Sequence, residues 1–136
     1  MAPSTSDNGL VSQQSQSSAR ETLDRLLAAL ATRNLTVFGR VDHAAGAASV
    51  GLPLRPTEVV IFGNPKGGTA LMQDRQSAGI DLPLKALVWE DADGKAWLTY
   101  NDPMWIAERH GLVAASMPAV KAMAALLDAI AQEATT

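Results

Sequence analysis

The stretch from Leu84 to Asn101 constrains the fold of this chain more than any other part of the sequence. Two apolar runs, Leu84–Asp91 and Lys95–Asn101, flank the dipeptide Asp93-Gly94. Asp-Gly favours a two-residue β-hairpin turn, because both central positions of that turn take positive φ. The sequence therefore predicts a β-hairpin, and with it a sheet that contains at least one antiparallel strand pair.

Counting outward from a two-residue turn predicts the register of this hairpin. The predicted partners are Ala92 with Lys95, Glu90 with Trp97, Trp89 with Leu98, Leu87 with Tyr100, and Lys85 with Asp102. In this register Trp89 lies on the core face with Leu87, Leu98 and Tyr100, whereas Trp97 lies on the second face. A large ring on the second face needs a covering partner, ligand or loop. We therefore expect a homodimer whose interface uses a sheet face or edge that includes Trp97.

The other elements follow from caps and periodicity. A capping box at Ser18 to Glu21 precedes a helix with four leucines on one face. The further predicted elements are a strand at Leu35–Val41, a short irregular helix after Asp42-His43, a strand at Thr57–Phe62, a helix at Thr69–Ala78, a short helix with Asp102 as N-cap and Pro103 at N1, and a last helix from Ser116 to Ala131. This order, (β)αβ-βα-ββ-α, indicates an α+β fold of two layers with helices on one face of the sheet.

A chain of 136 residues has the usual size of one domain. We divide it into a mobile leader at 1–17 with a candidate edge strand at Leu10–Gln13, one domain at 18–132, and a tail at 133–136. The chain has no cysteine, which excludes disulfides, thiolate metal sites and cysteine nucleophiles and fits the cytoplasm best.

The net charge of -3 comes with scattered basic residues, so nucleic acid is not an expected partner. We also expect no membrane association, since no apolar run approaches the roughly 20 residues that span a bilayer. The start of the chain has neither the basic nor the apolar region of a secretory signal.

Polar blocks lie beside the ends of the predicted strands. The block Gly63–Thr69 has consecutive glycines before a helix, so its backbone N–H groups could bind an anion with help from Lys66. It is no Walker A loop, and a structural turn that caps the helix is the favoured interpretation. If the blocks meet at one edge of the sheet, they form one ligand pocket. The predicted ligand-binding residues are His43, Asn64, Lys66, Gly67, Gly68, Thr69, Lys85, Asn101 and Asp102.

Catalytic and metal chemistry have little support in the sequence. The two histidines, His43 and His110, lie far apart with no metal-ligand spacing around them, so no metal and no cofactor is predicted. There is no Gly-x-Ser-x-Gly motif, and no serine has an obvious base nearby in sequence. His110 suits the C-terminus of its helix, where the dipole favours a cation.

Four ordered blocks resemble the domain-of-unknown-function 302 family, from roughly Ser18 to Ile130. They are Thr36–His43, Phe62–Thr69, Asp81–Lys85 and Tyr100–Pro103, and the likeness continues through Arg109–Leu112. The resemblance implies a two-layer α+β fold of the TATA-binding-protein-like type, with a curved antiparallel sheet and homodimers. It implies no activity, and the name of the fold implies no DNA binding.

Three functions stay open at this stage. The first is a domain that binds a small polar or anionic ligand among the residues named above. The second is a metal-independent enzyme with Asp42 or His43 as base and Lys66 or Lys85 as electrostatic stabiliser. The third is a purely structural dimerisation module.

Overall fold

The structure is a computed structural model, which describes residues 4–5 and 8–136. This part of the chain forms six strands, five α-helices and two short 3-10 helices. Their bounds are β1 Ser4–Thr5, β2 Leu10–Gln14, α1 Ala19–Thr32, β3 Thr36–Asp42, α2 His43–Ser49, β4 Thr57–Gly63, α3 Pro65–Asp74, a 3-10 helix Gln76–Ile80, β5 Leu84–Glu90, β6 Ala96–Asn101, α4 Pro103–His110, a 3-10 helix Ala114–Ser116, and α5 Met117–Thr135.

Several helix ends lie where their cap residues predict them. The hydroxyl of Ser18 accepts a hydrogen bond from the backbone N–H of Glu21 at the start of α1. Asp102 caps α4 by accepting from the backbone N–H of Met104, and Pro103 occupies the first helical turn. Gly111 ends α4 with a φ of 63°, in the left-handed region that favours glycine. Local sequence therefore sets these boundaries.

All strand pairs in the sheet are antiparallel, and the strand order is β1-β2-β6-β5-β4-β3. The helices α1 and α5 pack on one face of this sheet, where Val60, Phe62, Leu98 and Tyr100 belong to the same buried cluster as the leucines of α1. The predicted two-layer α+β class is confirmed. The side chains on the opposite face, called here the open face, do not belong to that buried cluster.

The predicted hairpin is present, but its predicted register is wrong by one residue. Trp89 pairs with Trp97, and Glu90 pairs with Ala96. The loop has three residues instead of two, because Asp91 pairs with Lys95 and only Gly94 takes positive φ, at 79°. A slip of one residue moves the side chains of one strand to the other face relative to its partner strand. The strand that differs from the prediction is β5, whereas Leu98 and Tyr100 of β6 lie on the core face as predicted. The core face therefore carries Leu84, Ala86, Val88, Ala96, Leu98 and Tyr100.

The ends of the described chain are part of the fold. The expected edge strand is β2, which pairs with β6 and has β1 on its outer side. The rest of the predicted mobile leader up to residue 7 lies outside the described residues, apart from 4–5. At the other end α5 continues to Thr135, and Ala134 and Thr135 are buried, so residues 133–135 are not a free tail.

The last helical segment is more apolar than the sequence analysis allowed. The stretch Ala114–Thr135 is long and apolar enough, by length and composition, to cross a membrane. One such helix is weak support for a membrane span. The helix α5 also places Val120, Met123, Leu127 and Ile130 in the buried core against α1 and the sheet.

Candidate functional site

The main candidate site is an apolar cavity at the β3 side of the sheet, between α3, α5 and the segment before β5. Its volume is about 610 Å³. That lies within the range of roughly 300–1,000 Å³ that is usual for small-molecule sites. The apolar lining consists of Leu35, Phe38, Pro65, Met72, Leu82, Pro83, Leu84, Ala119, Ala122, Met123 and Leu126.

Five of the predicted site residues lie around this cavity. Asn64, Lys66, Gly67, Gly68 and Thr69 all line it. They are neighbours because they form the N-terminal end of α3. The cavity is thus polar at this end and apolar along the rest of its wall.

The glycines do not form the predicted loop of free backbone N–H groups. Asn64 is the N-cap of α3 and Pro65 occupies its first turn, so Gly67 and Gly68 already lie in the helix. The backbone N–H groups of both glycines donate to the carbonyl oxygen of Asn64, at N···O distances of 3.1 and 3.4 Å. The helix begins four residues earlier than predicted, because the Asn-Pro start signal outweighs the low helix propensity of glycine.

The remaining predicted site residues lie elsewhere. His43 follows β3 at the end opposite Thr36, and Thr36 pairs with Gly63, so His43 lies about 20 Å along the strand from the cavity. Lys85 lies on the open face, since Ala86 faces the core. Asn101 and Asp102 end β6, two strands away from β4, and Asp102 caps α4. A single pocket containing all four polar blocks is therefore wrong.

The same placement removes the support for the predicted enzyme. Asp42 caps α2 by accepting from the backbone N–H of Ala45 at 2.9 Å, and both Asp42 and His43 are exposed. Neither lies at the end of the sheet that carries Lys66 or Lys85. A base and a stabiliser on opposite ends of a sheet cannot act on one substrate atom.

A second polar cluster, which the sequence analysis missed, forms around Asp81. Its carboxylate accepts from Arg109 at 3.1 Å and contacts Nε2 of His110 at 2.6 Å. The other ring nitrogen of His110 lies 2.9 Å from the hydroxyl of Ser77. The residues are up to 33 positions apart in sequence. Only the position of Asp81 and His110 within two of the family-like blocks pointed to them.

The open face carries both tryptophans. Trp97 was predicted on this face, whereas the prediction that Trp89 lies on the core face is wrong. The rings of Trp89 and Trp97 stack with centroids 6.0 Å apart. Trp89 donates to the hydroxyl of Thr99, and Trp97 donates to the carboxylate of Asp91. The bond from Trp97 and the backbone N–H groups of Lys95 and Asp93 hold the pKa of Asp91 below its ordinary value.

On the opposite face of β6, Tyr100 is buried from solvent. It lies among the buried core residues on the helix side of β6. Burial, with smaller contributions from the charges of Asp128 and Asp102, raises the pKa of Tyr100 to about 12. The two faces of the hairpin therefore differ sharply in environment.

The fold and the cavity define a class of protein: a small two-layer α+β domain with an open antiparallel sheet and a ligand-sized cavity beside its helices. The chain belongs to the family described as domain of unknown function DUF302, which it matches over residues 11–132. The crystal structure of an uncharacterized conserved DUF302 protein from Bacillus stearothermophilus has the same fold, with a TM-score of 0.82 over 93% of this chain and 98% of that chain, at 16% sequence identity.

Longer proteins contain a close relative of this sequence. The chain is 54% identical over 117 residues to a protein of Brucella suis biovar 1 (strain 1330) named fluoride-specific ion channel FluC 1. It is also 54% identical to the FluC 1 protein of Brucella abortus biovar 1 (strain 9-941). These matches cover 86% of this chain but 46% and 43% of the two relatives. The chain thus spans less than half the length of the curated relatives it matches.

Proposed function

We propose that this chain is a binding domain for a small amphiphilic molecule with an apolar body and an anionic or polar end. The observation that carries the proposal is the cavity of about 610 Å³, whose wall is formed mainly by leucine, methionine, proline and alanine side chains. Transfer of apolar ligand surface from water to such a wall contributes roughly 25 cal/mol of binding free energy per Å². The apolar body would occupy the space between α3 and α5.

The polar end of the ligand would lie at the start of α3. Asn64, Lys66 and Thr69 are exposed residues at this end of the cavity. Lys66 supplies a positive charge, and the N-terminus of a helix favours negative charge. This position narrows the earlier expectation of a polar or anionic ligand to an amphiphile, because a purely polar ligand would leave the apolar wall without a complementary surface.

Dodecanoate is a suitable probe for the cavity, with dodecanol as its uncharged counterpart. We expect dodecanoate to bind and Gly68→Leu to abolish binding. A side-chain atom at Gly68 meets only Leu82 and Met72 of the cavity wall, at 3.8 and 3.9 Å, so leucine would fill the ligand space. The same change removes a helical glycine and should raise the stability of α3 by about 1 kcal/mol. Calorimetric titration, with thermal unfolding in parallel, measures both effects.

Ala70→Leu is the matched control, since Ala70 is an exposed residue of the same helix that does not line the cavity. It should bind dodecanoate like the original chain. Lys66→Gln should weaken dodecanoate about two- to fivefold, as expected for an exposed charge, and leave dodecanol unchanged. If dodecanoate fails to saturate the protein at about 1 mM, or binds Gly68→Leu equally well, the cavity is not the proposed site.

We also propose that the chain forms a homodimer through the open face. The stacked tryptophans, Val59, Ile61 and Leu87 are all partly exposed there, and Lys85 is the one charged residue among the outward positions of β4, β5 and β6. Five strands of about six residues present roughly 500 Å² per copy. Two copies then bury about 1,000 Å², the lower size of a specific interface. A nearly uncharged face suits a second copy of itself, because one lysine gives an oppositely charged partner little to match.

The relatives favour one biological setting. We propose that this chain acts as an accessory domain of a fluoride channel, because proteins named fluoride-specific ion channels contain a sequence 54% identical to it within their own chains. The cytoplasm remains our proposed compartment. The cavity wall is unsuited to fluoride itself, since it offers few donors to a small, strongly hydrated anion. The domain would therefore act on the channel and not on the ion.

A growth assay tests this role with the Brucella suis relative in a fluoride-sensitive bacterium. We expect removal of the 117 matched residues from that relative to lower fluoride tolerance, and replacement of them by the matching part of this chain to restore it. A replacement carrying Gly68→Leu distinguishes a role of the cavity from a role of the fold alone. Equal tolerance with and without the matched residues, at equal amounts of protein in the membrane, would rule out an accessory role.

A further inference from the structure

Ser77, His110 and Asp81 form a continuous chain of hydrogen bonds outside the cavity. The hydroxyl of Ser77 lies 2.9 Å from Nδ1 of His110, and Nε2 of His110 lies 2.6 Å from Oδ2 of Asp81. A nucleophile, a base within hydrogen-bond reach of it, and a third group that orients the base are the three parts of a nucleophilic site. The distances fit that arrangement.

The roles within this chain follow from the partners of Asp81. Arg109 donates to both carboxylate oxygens at 3.1 Å, so both oxygens act as hydrogen-bond acceptors. Nε2 of His110 must therefore carry the proton that it donates to Asp81. In a neutral ring Nδ1 then has the free lone pair, so it accepts from the hydroxyl of Ser77. This tautomer is the one that can remove the hydroxyl proton.

Burial separates the supporting groups from the nucleophile. The side chain of His110 is 7% exposed and that of Asp81 is 11% exposed, so packing fixes both. Ser77 is exposed on the short 3-10 helix Gln76–Ile80, where a substrate can reach it. Residues three apart eclipse each other on a 3-10 helix, which puts Ile80, 73% exposed, on the side of Ser77. An apolar group of the substrate can rest on Ile80.

We propose that Ser77 is a nucleophile activated by His110, with esters of small apolar acyl groups as the substrate class. Nδ1 of His110 takes the proton of Ser77 as Oγ attacks the ester carbonyl carbon. The tetrahedral intermediate then collapses, the bond to the alkoxide breaks, and the imidazolium returns the proton to the leaving alcohol. Water hydrolyses the acyl-serine by the same proton transfers, so the products are a carboxylic acid and an alcohol, and no redox partner is needed.

The first test is acylation of the whole chain by p-nitrophenyl butyrate, with the modified residue located by peptide mass spectrometry. We expect acyl transfer to Ser77 about 100-fold faster than to Ser49, an exposed serine whose hydroxyl donates to the carbonyl oxygen of Gly46. Ser77→Ala and His110→Gln should both abolish the fast reaction. Acylation of Ser77 at the rate of Ser49 overturns the proposal and leaves the cluster as a structural link between the 3-10 helix and α4.

The second test uses the absence of cysteine in the natural sequence. In Ser77→Cys the single thiol would face Nδ1 of His110, and a neighbouring imidazolium lowers a thiol pKa to about 3.5–7.5 from its usual value of about 8.5. The pH dependence of alkylation by iodoacetamide should show this lowering, and adding His110→Gln should remove it. Equal profiles for the single and double variants would mean that His110 does not accept the proton of residue 77, and they also overturn the proposal.

Discussion

Replacing Gly9 with alanine is expected to lower the free energy of unfolding by about 2–5 kcal/mol. Gly9 has a φ of 84°, a conformation that costs other residues roughly 1–2 kcal/mol. A Cβ atom there would also lie 2.3 Å from Cγ and 2.4 Å from Cδ2 of Trp105. Relieving an overlap of this size in packed surroundings costs about 1–3 kcal/mol more. The carbonyl oxygen of Gly9 accepts from the backbone N–H of Asp102, so the strain acts where the segment before β2 contacts the start of α4.

Urea unfolding measures this effect, and Gly111→Ala is its matched control. Gly111 also has positive φ, at 63°, but a side chain there would meet no atom within 4 Å. The control should lose only the conformational part, about 1–2 kcal/mol. Equal losses at Gly9 and Gly111 would mean that Trp105 does not pack on the segment before β2, and that this segment contributes little to the fold.

At micromolar concentration, sedimentation should give a mass twice the 14.3 kDa of the chain, and Trp97→Lys should reduce it to 14.3 kDa. Lysine would place an unpaired charge within the proposed interface and remove half of the tryptophan stack. Removing an aromatic residue that anchors an interface costs about 2–4 kcal/mol, which weakens association roughly 30- to 1,000-fold. The monomer should stay folded, since Trp97 is not part of the buried core.

Val113→Lys is the control for the dimer, because Val113 is an apolar residue, 51% exposed, that lies in the loop after α4 and not on the open face. It should leave the mass at twice that of the chain. A mass of 14.3 kDa for the unaltered chain at micromolar concentration would contradict the dimer. A dimer that persists in Trp97→Lys would place the interface on another surface.

The hairpin shows where sequence reasoning stops being sufficient. Alternating apolar residues and Asp93-Gly94 identify two strands and a turn, because these are local preferences. The register depends on a competition between turns that differ by one residue in length. The carboxylate of Asp91 accepts from the backbone N–H groups of Asp93 and Lys95, each at 2.9 Å, and these bonds favour the three-residue loop. The one extra residue in the loop decided which face of the sheet carries Trp89.

At the start of α3, two local sequence signals favour different structures. Consecutive glycines favour a loop, whereas Asn64 and Pro65 favour a helix start, and both signals occupy the same six residues. The side chain of Asn64 accepts from the backbone N–H of Lys66, so the helix begins there. The helical conformation uses the N–H groups of Gly67 and Gly68 within α3, so these groups are not free to bind an anion as predicted.

The sequence by itself determined the class of fold, the order of strands and helices, the caps at Ser18 and Asp102, and the family resemblance, because each depends on residues close together in the chain. Tertiary structure alone decided the order of the strands within the sheet, the cavity between α3 and α5, the pairing of the tryptophans, and the hydrogen-bonded chain of Ser77, His110 and Asp81. These features join residues separated by many positions. Their contacts depend on how the helices pack across the sheet, which local propensity does not specify.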